Sequence, residues 1–127
     1  MDRITGATGI CMNNCNQMLM VLQGKPEEKK KWAVPSGITE LNETFEVCCI
    51  REVFEETGYQ VTINKKLHTK KIANVEIQYF LVELINGHIK IQDPDGLIYD
   101  VAWKEKEELH QLPLTFEEDR DFLLSCF

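Results

Sequence analysis

The chain has 127 residues, a formal net charge of -7, 43% hydrophobic residues and 28% charged residues. This length suits one domain with its own core, so we predict a single domain over residues 1–127. The acidic balance argues against a nucleic-acid polymer as partner, because such partners bind clustered Lys and Arg. No apolar run approaches the roughly 20 residues of a membrane span, and no signal peptide is visible. The five cysteines form no Cys-x-x-Cys pair, and we expect a reducing, cytoplasmic location.

The chain opens with short apolar or alternating stretches, which are typical of strands. Residues 5–12 and 17–23 flank a turn signal at Asn13-Asn14, so the sequence predicts an opening hairpin. A charged loop follows over residues 24–31. Trp32 to Pro35 is predicted to be extended, because the residue before a proline avoids helical angles.

Residues 37–58 read GITELNETFEVCCIREVFEETG and predict a helix. Asn42 or Thr44 can cap its first turn, and Gly58 can end it in the left-handed conformation. The side chains expected to face the core are Val47, Ile50, Val53 and Phe54, with Cys48 and Cys49 as small buried apolar groups.

Three glutamates share a second face of this helix. Glu52, Glu55 and Glu56 are three and four residues apart, so their carboxylates repel one another by a few tenths of a kcal/mol per pair, roughly. A solvated surface is the usual role of such a face. The functional alternative is that the glutamates bind a hard divalent cation, which prefers oxygen ligands. In that case we expect their side chains to face solvent and the metal. Arg51 is placed to hold Glu55 one turn on.

The second half of the chain predicts more strands and a final helix. Residues 59–67 and 70–74 indicate one long or broken strand, and residues 76–85 and 88–92 flank the hairpin signal Asn86-Gly87. The later elements are a turn at 93–96, a strand at 98–104, a helical turn at 105–110 and a helix at 116–127 with Phe116, Leu123, Leu124 and Phe127 inward. Lysines at 25, 29–31, 65, 66, 70 and 71 either steer a phosphorylated substrate or solubilise loops. The three histidines show no ligand spacing.

The fixed spacing around the glutamates resembles the Nudix box, Gly-x5-Glu-x7-Arg-Glu-U-x-Glu-Glu-x-Gly-U, in which U is apolar. The matching pattern is Gly37-x5-Glu43-x7-Arg51-Glu52-Val53-x-Glu55-Glu56-x-Gly58-Tyr59. Agreement of seven residue types at seven positions has a chance probability on the order of one in a hundred million at a given start. The chain is therefore similar to a MutT-like Nudix hydrolase. Trp32-x-x-Pro35 and Val101-Ala102-Trp103 are weaker resemblances.

The resemblance implies an α/β fold, an α/β/α sandwich with a mixed sheet in which the box forms loop-helix-loop. It also implies Mg²⁺ or Mn²⁺ and hydrolysis of a diphosphate linked to another group. In that chemistry Glu55 and Glu56 bind the cation, and Glu52 binds it or acts as the general base. Arg51 orients a glutamate, and Glu43 supports the site or binds the metal indirectly.

Two positions depart from many family members. The resemblance implies that Gly37 lets the backbone turn so that carbonyl oxygens point at the metal. The preceding residue, often glycine in the family, is Ser36 here. The carbonyl of Ser36 can still bind metal. Asn42 also replaces a common glycine, and asparagine tolerates positive φ. Gly58 keeps its structural role at the helix end.

Candidates outside the box are less specific. A late-loop carboxylate often joins the site in this family, and the candidates are Asp93, Asp95 and Asp100, with Asp95 as the metal ligand put forward. Turn formation is the default role of Asp93 and Asp95 in Asp93-Pro94-Asp95-Gly96. Trp32 and Tyr79 are candidates for stacking on a base, and Asp119 for hydrogen bonding a purine edge. Core packing and helix initiation are the alternatives.

Three functions follow from these expectations. The favoured one is a pyrophosphohydrolase of nucleoside triphosphates, including oxidised forms such as 8-oxo-dGTP. The second is a pyrophosphatase of ADP-ribose, nucleotide sugars or dinucleotides, and the third is an inactive Nudix-fold binding module. The partner is a small nucleotide, with no membrane, and the chain is a monomer or homodimer. The intact glutamates favour the enzymes over the module.

Overall fold

The computed structural model describes residues 3–127. Its elements are β1 (Ile4–Cys11), β2 (Met18–Gln23), β3 (Lys31–Ala33), β4 (Ser36–Ile38), α1 (Phe45–Thr57), β5 (Tyr59–Ile72), β6 (Val75–Gly87), β7 (Ile98–Lys104), α2 (Lys106–Leu109), a 3₁₀ turn (Glu117–Asp119) and α3 (Arg120–Ser125). Within the described residues, no helix has the length and apolar character needed to cross a membrane.

The strands form two sheets. One has the order β4-β1-β6-β5 and the other the order β3-β2-β7. β1 and β6 pair in parallel, whereas β1 with β4 and β5 with β6 pair antiparallel. The larger sheet is therefore mixed, as expected for this fold class.

The predicted opening hairpin is wrong, although both of its strands exist. β1 and β2 lie in different sheets, and the bridge that connects this part of the chain is the isolated antiparallel pair Met12 and Met18. Both strands are largely buried on both faces, which is typical of central strands. Each therefore takes two other neighbours, β4 and β6 for β1, and β3 and β7 for β2.

The hairpin predicted at Asn86-Gly87 is also wrong. β6 continues to Gly87 and pairs along its length with β5, a single long strand with three register shifts. Gly87 has φ of 104°, and a Cβ there would lie 2.5 Å from the carbonyl oxygen of Gly58. This glycine therefore permits a close approach between chain segments rather than a hairpin turn.

Residues 88–92 contact the end of α1 instead of forming a strand. The backbone N–H of Lys90 donates to the carbonyl of Thr57, and that of Gln92 donates to the carbonyl of Glu55, both at 2.8 Å. The last turn of a helix leaves its carbonyls without partners inside the helix. This loop supplies partners for two of them.

α1 begins and ends as predicted, but its buried face differs. The Thr44 hydroxyl accepts the N–H of Val47, and Gly58 ends the helix with φ of 86°. The side chains of Cys48, Cys49 and Val53 are 0% exposed. Val47 and Phe54 are 53% and 37% exposed, so the prediction that they face the core is wrong. The helix packs closely on β1 at Gly9, where a Cβ would lie 2.7 Å from Val53, and the small cysteines fit this contact.

We expect Val53→Ala to lower the free energy of unfolding by about 2 kcal/mol, because it removes two buried methyl groups and leaves a cavity. Val47→Ala is the matched control on the same helix and should change it by less than about 0.5 kcal/mol. Chemical denaturation of both variants measures the difference. Equal losses would contradict the observed orientation of α1.

Two apolar cores cover the faces of the larger sheet, because successive side chains of a strand alternate. The core against α1 contains Ala7, Cys11, Val53, Phe80 and Val82. The core on the opposite face contains Ile10, Tyr79, Leu109, Leu114 and Leu123. The predicted final helix is broken into the 3₁₀ turn and α3, and Phe116 lies before both. At 41% exposed, Phe116 does not face inward as predicted.

Candidate active site

Arg51 lies at the centre of a carboxylate cluster on α1. Its guanidinium donates to both oxygens of Glu43 at 2.7 and 2.8 Å, to Glu52 at 2.5 Å and to Glu55 at 2.9 Å. It also donates to the carbonyl of Ile38 at 3.1 Å, which ties α1 to β4. The bidentate bond from Arg51 lowers the pKa of Glu43 to about 2 and, in turn, raises the pKa of Arg51. One cation thus orients three carboxylates.

Glu52 and Glu56 face the short strand β4. A Cβ on Gly37 would overlap the carboxylate of Glu52, so glycine leaves the space that this carboxylate fills. The backbone N–H of Ser36 donates to Glu56 at 3.3 Å. Glu56 is only 7% exposed, so the expectation that it faces solvent is wrong. Burial raises the pKa of Glu52, and burial together with the charge of Glu52 raises the pKa of Glu56 well above its usual value.

The donor set fits a hard divalent cation. Glu52 and Glu56 supply carboxylate oxygens. Burial disfavours the negative charge of both, and the charge of Glu55 adds to this effect at Glu52 as that of Glu52 does at Glu56. The guanidinium of Arg51, which contacts Glu52, is shared with Glu43 and Glu55. A divalent ion with oxygen ligands would offset this excess charge. In residues 3–127 no group of three or more His, Cys, Asp or Glu side chains is already arranged to hold a metal ion.

Asp93 and Asp95 belong to a turn, as predicted, whereas Asp100 lies in β7. Asp93 accepts the N–H groups of Asp95 and Leu97 at 3.2 and 2.6 Å, and its charge contributes to the raised pKa of Glu56. Asp95 is exposed within the turn, and Asp100 is exposed and accepts the N–H of Val101. Asp93 is thus the late-loop carboxylate whose charge acts on Glu56.

A cavity of about 500 Å³ lies on the face of the larger sheet opposite α1 and reaches the edge strand β4. Ser36 and Gly37 line it at β4 and also contact Glu56 and Glu52. Ser36 pairs with Thr8, which pairs with Tyr79 two strands away. Ser36 and Tyr79 are therefore about 10 Å apart, given the usual spacing between strands. The cavity therefore extends across the sheet from β4, the strand that contacts Glu52 and Glu56 of α1.

All three residues predicted to bind substrate line this cavity, namely Trp32, Tyr79 and Asp119. Tyr79 is 2% exposed and its hydroxyl donates to Asp119 at 2.7 Å. Lys70 and Phe116 also line it. The sequence placed Lys70 only among lysines that steer a phosphorylated substrate or solubilise loops, and it placed Phe116 in the core. Lys70 resembled any other lysine of a charged segment, and only the pairing of β5 with β6 brings it into the cavity.

A comparison with protein families decides the assignment. The family model described as the NUDIX domain matches residues 3–126. The chain belongs to the Nudix family. The resemblance drawn from the Nudix box and the assignment to a family of hydrolases are confirmed, and members of this family generally use divalent metal ions.

Similarities to individual Nudix proteins agree with this family assignment. A putative nudix hydrolase 1 from Caenorhabditis elegans is 29% identical over 108 residues, which cover 84% of this chain and 29% of that protein. An NAD-capped RNA hydrolase NudC from Haemophilus influenzae is 35% identical over 83 residues, covering 63% of this chain and 31% of that protein. The chain thus spans about a third of the length of these relatives. A solved structure of MutT, from work on Aliivibrio salmonicida and Vibrio cholerae, has a TM-score of 0.82 at 19% identity and covers 99% of this chain and 100% of that chain. This similarity confirms the Nudix fold.

Proposed function

We propose that this Nudix domain hydrolyses a phosphoanhydride bond in a nucleoside diphosphate linked to another group. Nucleoside triphosphates, including oxidised purine forms such as 8-oxo-dGTP, are the favoured substrates. The observation that carries the proposal is the position of the cavity, which shares Ser36 and Gly37 with Glu56 and Glu52. A nucleoside in the cavity would place its phosphates at edge strand β4, beside these carboxylates.

Glu52, Glu55 and Glu56 are the proposed ligands of a divalent cation, Mg²⁺ or Mn²⁺, with the carbonyl of Ser36 as a further oxygen. When bound, such an ion supplies positive charge against the phosphate oxygens and makes a coordinated water more acidic. Asp93, whose charge acts on Glu56, takes the place of Asp95 as the proposed late-loop contributor.

Glu52 is the proposed general base, because its carboxylate is fixed on both sides. Arg51 donates to one oxygen at 2.5 Å, and the other lies in the space left by Gly37. A base held in this way can accept a proton from the attacking water without a costly reorientation. Arg51 and Glu43 act as positioning residues, since their bidentate bond fixes the guanidinium.

A second candidate is hydrolysis of ADP-ribose or a dinucleotide. The match to a NudC protein, which is named as an NAD-capped RNA hydrolase, favours it. Both candidates use the same carboxylates and differ only in the group attached to the diphosphate.

The test is product release with Mg²⁺ from a panel of dNTPs, 8-oxo-dGTP, ADP-ribose, NADH and diadenosine polyphosphates. We expect turnover of a purine triphosphate that EDTA abolishes, because the carboxylates need a cation to approach a phosphate. A preparation of Glu52→Gln serves as the control for contaminating hydrolases. Turnover of ADP-ribose or NADH alone would establish the second candidate, and no turnover by a protein that binds Mg²⁺ would favour the binding module.

A further inference from the structure

Thr8 in β1 carries a buried hydroxyl group that faces the cavity. Its two neighbours point toward α1, because Ala7 belongs to the core on that face and a Cβ on Gly9 would lie 2.7 Å from Val53. Successive side chains of a strand alternate between the two faces of a sheet. Thr8 therefore points to the opposite face, where it lines the cavity with only 3% of the residue exposed.

This hydroxyl has no hydrogen-bond partner in the part of the chain that the structure describes. Across residues 3–127, every side-chain oxygen or nitrogen that is fully covered does have such a partner. The oxygen of Thr8 must therefore keep a small open surface, and the cavity is where Thr8 provides it. A nearly buried hydroxyl without a partner costs stability. Such a group is expected where a ligand supplies the missing hydrogen bond.

Polar side chains farther from β4 are already paired with one another. Lys70 donates to Asp119 at 3.1 Å, and Tyr79 donates to the same carboxylate at 2.7 Å. Thr8 lies between this paired group and the strand that contacts the glutamates, one strand from Ser36 and one strand from Tyr79. It thus offers an unused polar group in the middle of the cavity.

The position of Thr8 decides which part of a nucleotide its hydroxyl can meet. Ser36 and Thr8 are paired on adjacent strands, so they are about 5 Å apart. In a nucleotide the sugar lies between the phosphate and the base. With the phosphates at β4, the sugar therefore lies over β1 and the base extends toward β6. A threonine hydroxyl both donates and accepts, so it can pair with a sugar hydroxyl in either direction.

We propose that Thr8 binds a ring hydroxyl of the sugar and thereby selects nucleotides that retain this hydroxyl over those that lack it. The inference rests on the proposed function, because the phosphates must lie at β4 for the sugar to reach β1. In the sequence Thr8 is an ordinary threonine of a strand. Only the pairing of β1 with β4 places it beside Ser36.

Thr57 provides a matched contrast, since it is a buried threonine whose hydroxyl has partners within the protein. That hydroxyl donates to the carbonyl of Val53 at 2.6 Å and accepts the N–H of Tyr59 at 3.1 Å. Thr57→Val should lower the melting temperature by about 4 °C or more, because it leaves buried groups unpaired. Thr8→Val keeps the side-chain shape and removes only an unpaired group. Its melting temperature should stay within about 2 °C of the wild type or rise.

The experiment measures binding of AMP and GMP, and of their 2′-deoxy and 2′,3′-dideoxy forms, by isothermal titration calorimetry with Mg²⁺. These monophosphates contain no phosphoanhydride bond, so binding is measured without turnover. The series removes the sugar hydroxyls one at a time and so identifies the one that Thr8 binds. The proteins are the wild type, Thr8→Val and the conservative variant Thr8→Ser, with Thr57→Val added for the thermal melts.

For the wild type, removal of one sugar hydroxyl should weaken binding at least about 5-fold, which is within the usual effect of one neutral hydrogen bond. In Thr8→Val the same removal should change binding by about 2-fold or less. Thr8→Ser retains a hydroxyl and should keep most of the preference. A merely structural role of Thr8 predicts instead that all forms weaken by the same factor, which leaves their ratios unchanged.

Unchanged discrimination among the sugar forms by a folded Thr8→Val protein would overturn the inference. So would equal binding of all forms, or no binding, by the wild type. A melting temperature of Thr8→Val that falls as far as that of Thr57→Val would also overturn it, because the hydroxyl would then have a partner inside the protein.

These results are distinct from a test of hydrolysis, which the substrate panel provides. Turnover by a protein in which Thr8 has no effect on the sugar preference would retain the proposed function and refute the inference. A Thr8-dependent sugar preference in a protein that hydrolyses nothing would retain the inference and refute the proposed function.

Discussion

Replacing Glu56 or Glu52 by Gln should lower kcat/KM by about 10²–10⁴-fold, the usual range for loss of a catalytic acid or base. Both side chains are proposed cation ligands, and Glu52 is also the proposed base. The amide keeps the shape of each side chain, and at position 56 it can still accept the N–H of Ser36. We therefore expect activity to fall while the melting temperature stays within about 4 °C of the wild type.

Glu46→Gln is the matched control for these variants. Glu46 lies in the first turn of the same helix and is exposed. The activity of the Glu46→Gln variant should therefore stay within about 2-fold of the wild type. The measurement is steady-state hydrolysis of the best substrate of the panel, together with Mg²⁺ binding by calorimetry. Activity near that of the wild type in both Glu52→Gln and Glu56→Gln would refute the assignment of the site.

Gly37→Ala should reduce activity by about 10²-fold with little loss of stability, because a displacement of about 1 Å at a reacting group has this effect. The new methyl group would overlap the carboxylate of Glu52. That carboxylate is the end of a flexible side chain and can rotate away, so the strand need not move. The fold would survive, but the base would leave its position between Arg51 and β4.

A double-mutant cycle tests this explanation. If Gly37→Ala acts through Glu52, adding it to Glu52→Gln should cause little further loss, since the two changes remove the same interaction. Independent losses that multiply would show that Gly37 acts elsewhere, and unfolding of Gly37→Ala at room temperature would contradict a flexible response of Glu52. Hydrolysis rates and thermal melts of the three variants provide the answer.

The structure of the Nudix box could be predicted from the sequence because it depends on residues that are close together in the chain. Thr44, Gly58 and the spacing of the glutamates lie within one helix and its ends, where a period of 3.6 residues decides which side chains share a face. The fold class followed from the same motif. The positive φ of Asn42, 65°, also agrees with the expectation for that position.

The remaining features depend on contacts between distant segments. The sequence could not reveal that β1 pairs with β6 rather than with β2, because a strand pattern does not specify its partner. Nor could it show that Val47 points outward, since the orientation of α1 is set by the close contact of Val53 with Gly9. Lys70 and Asp119 are 49 residues apart and meet only across the folded sheet.

The contact between residues 88–92 and the last turn of α1 links two parts of the chain into one cooperative unit of local unfolding. The amide hydrogens of Lys90 and Gln92 are bonded to carbonyls of Thr57 and Glu55, so they exchange with solvent only when the loop separates from the helix end. The same opening would expose the carbonyls of Thr57 and Glu55 to solvent. Hydrogen exchange at two loop amides therefore reports how often this loop separates from the end of the helix that carries Glu55 and Glu56.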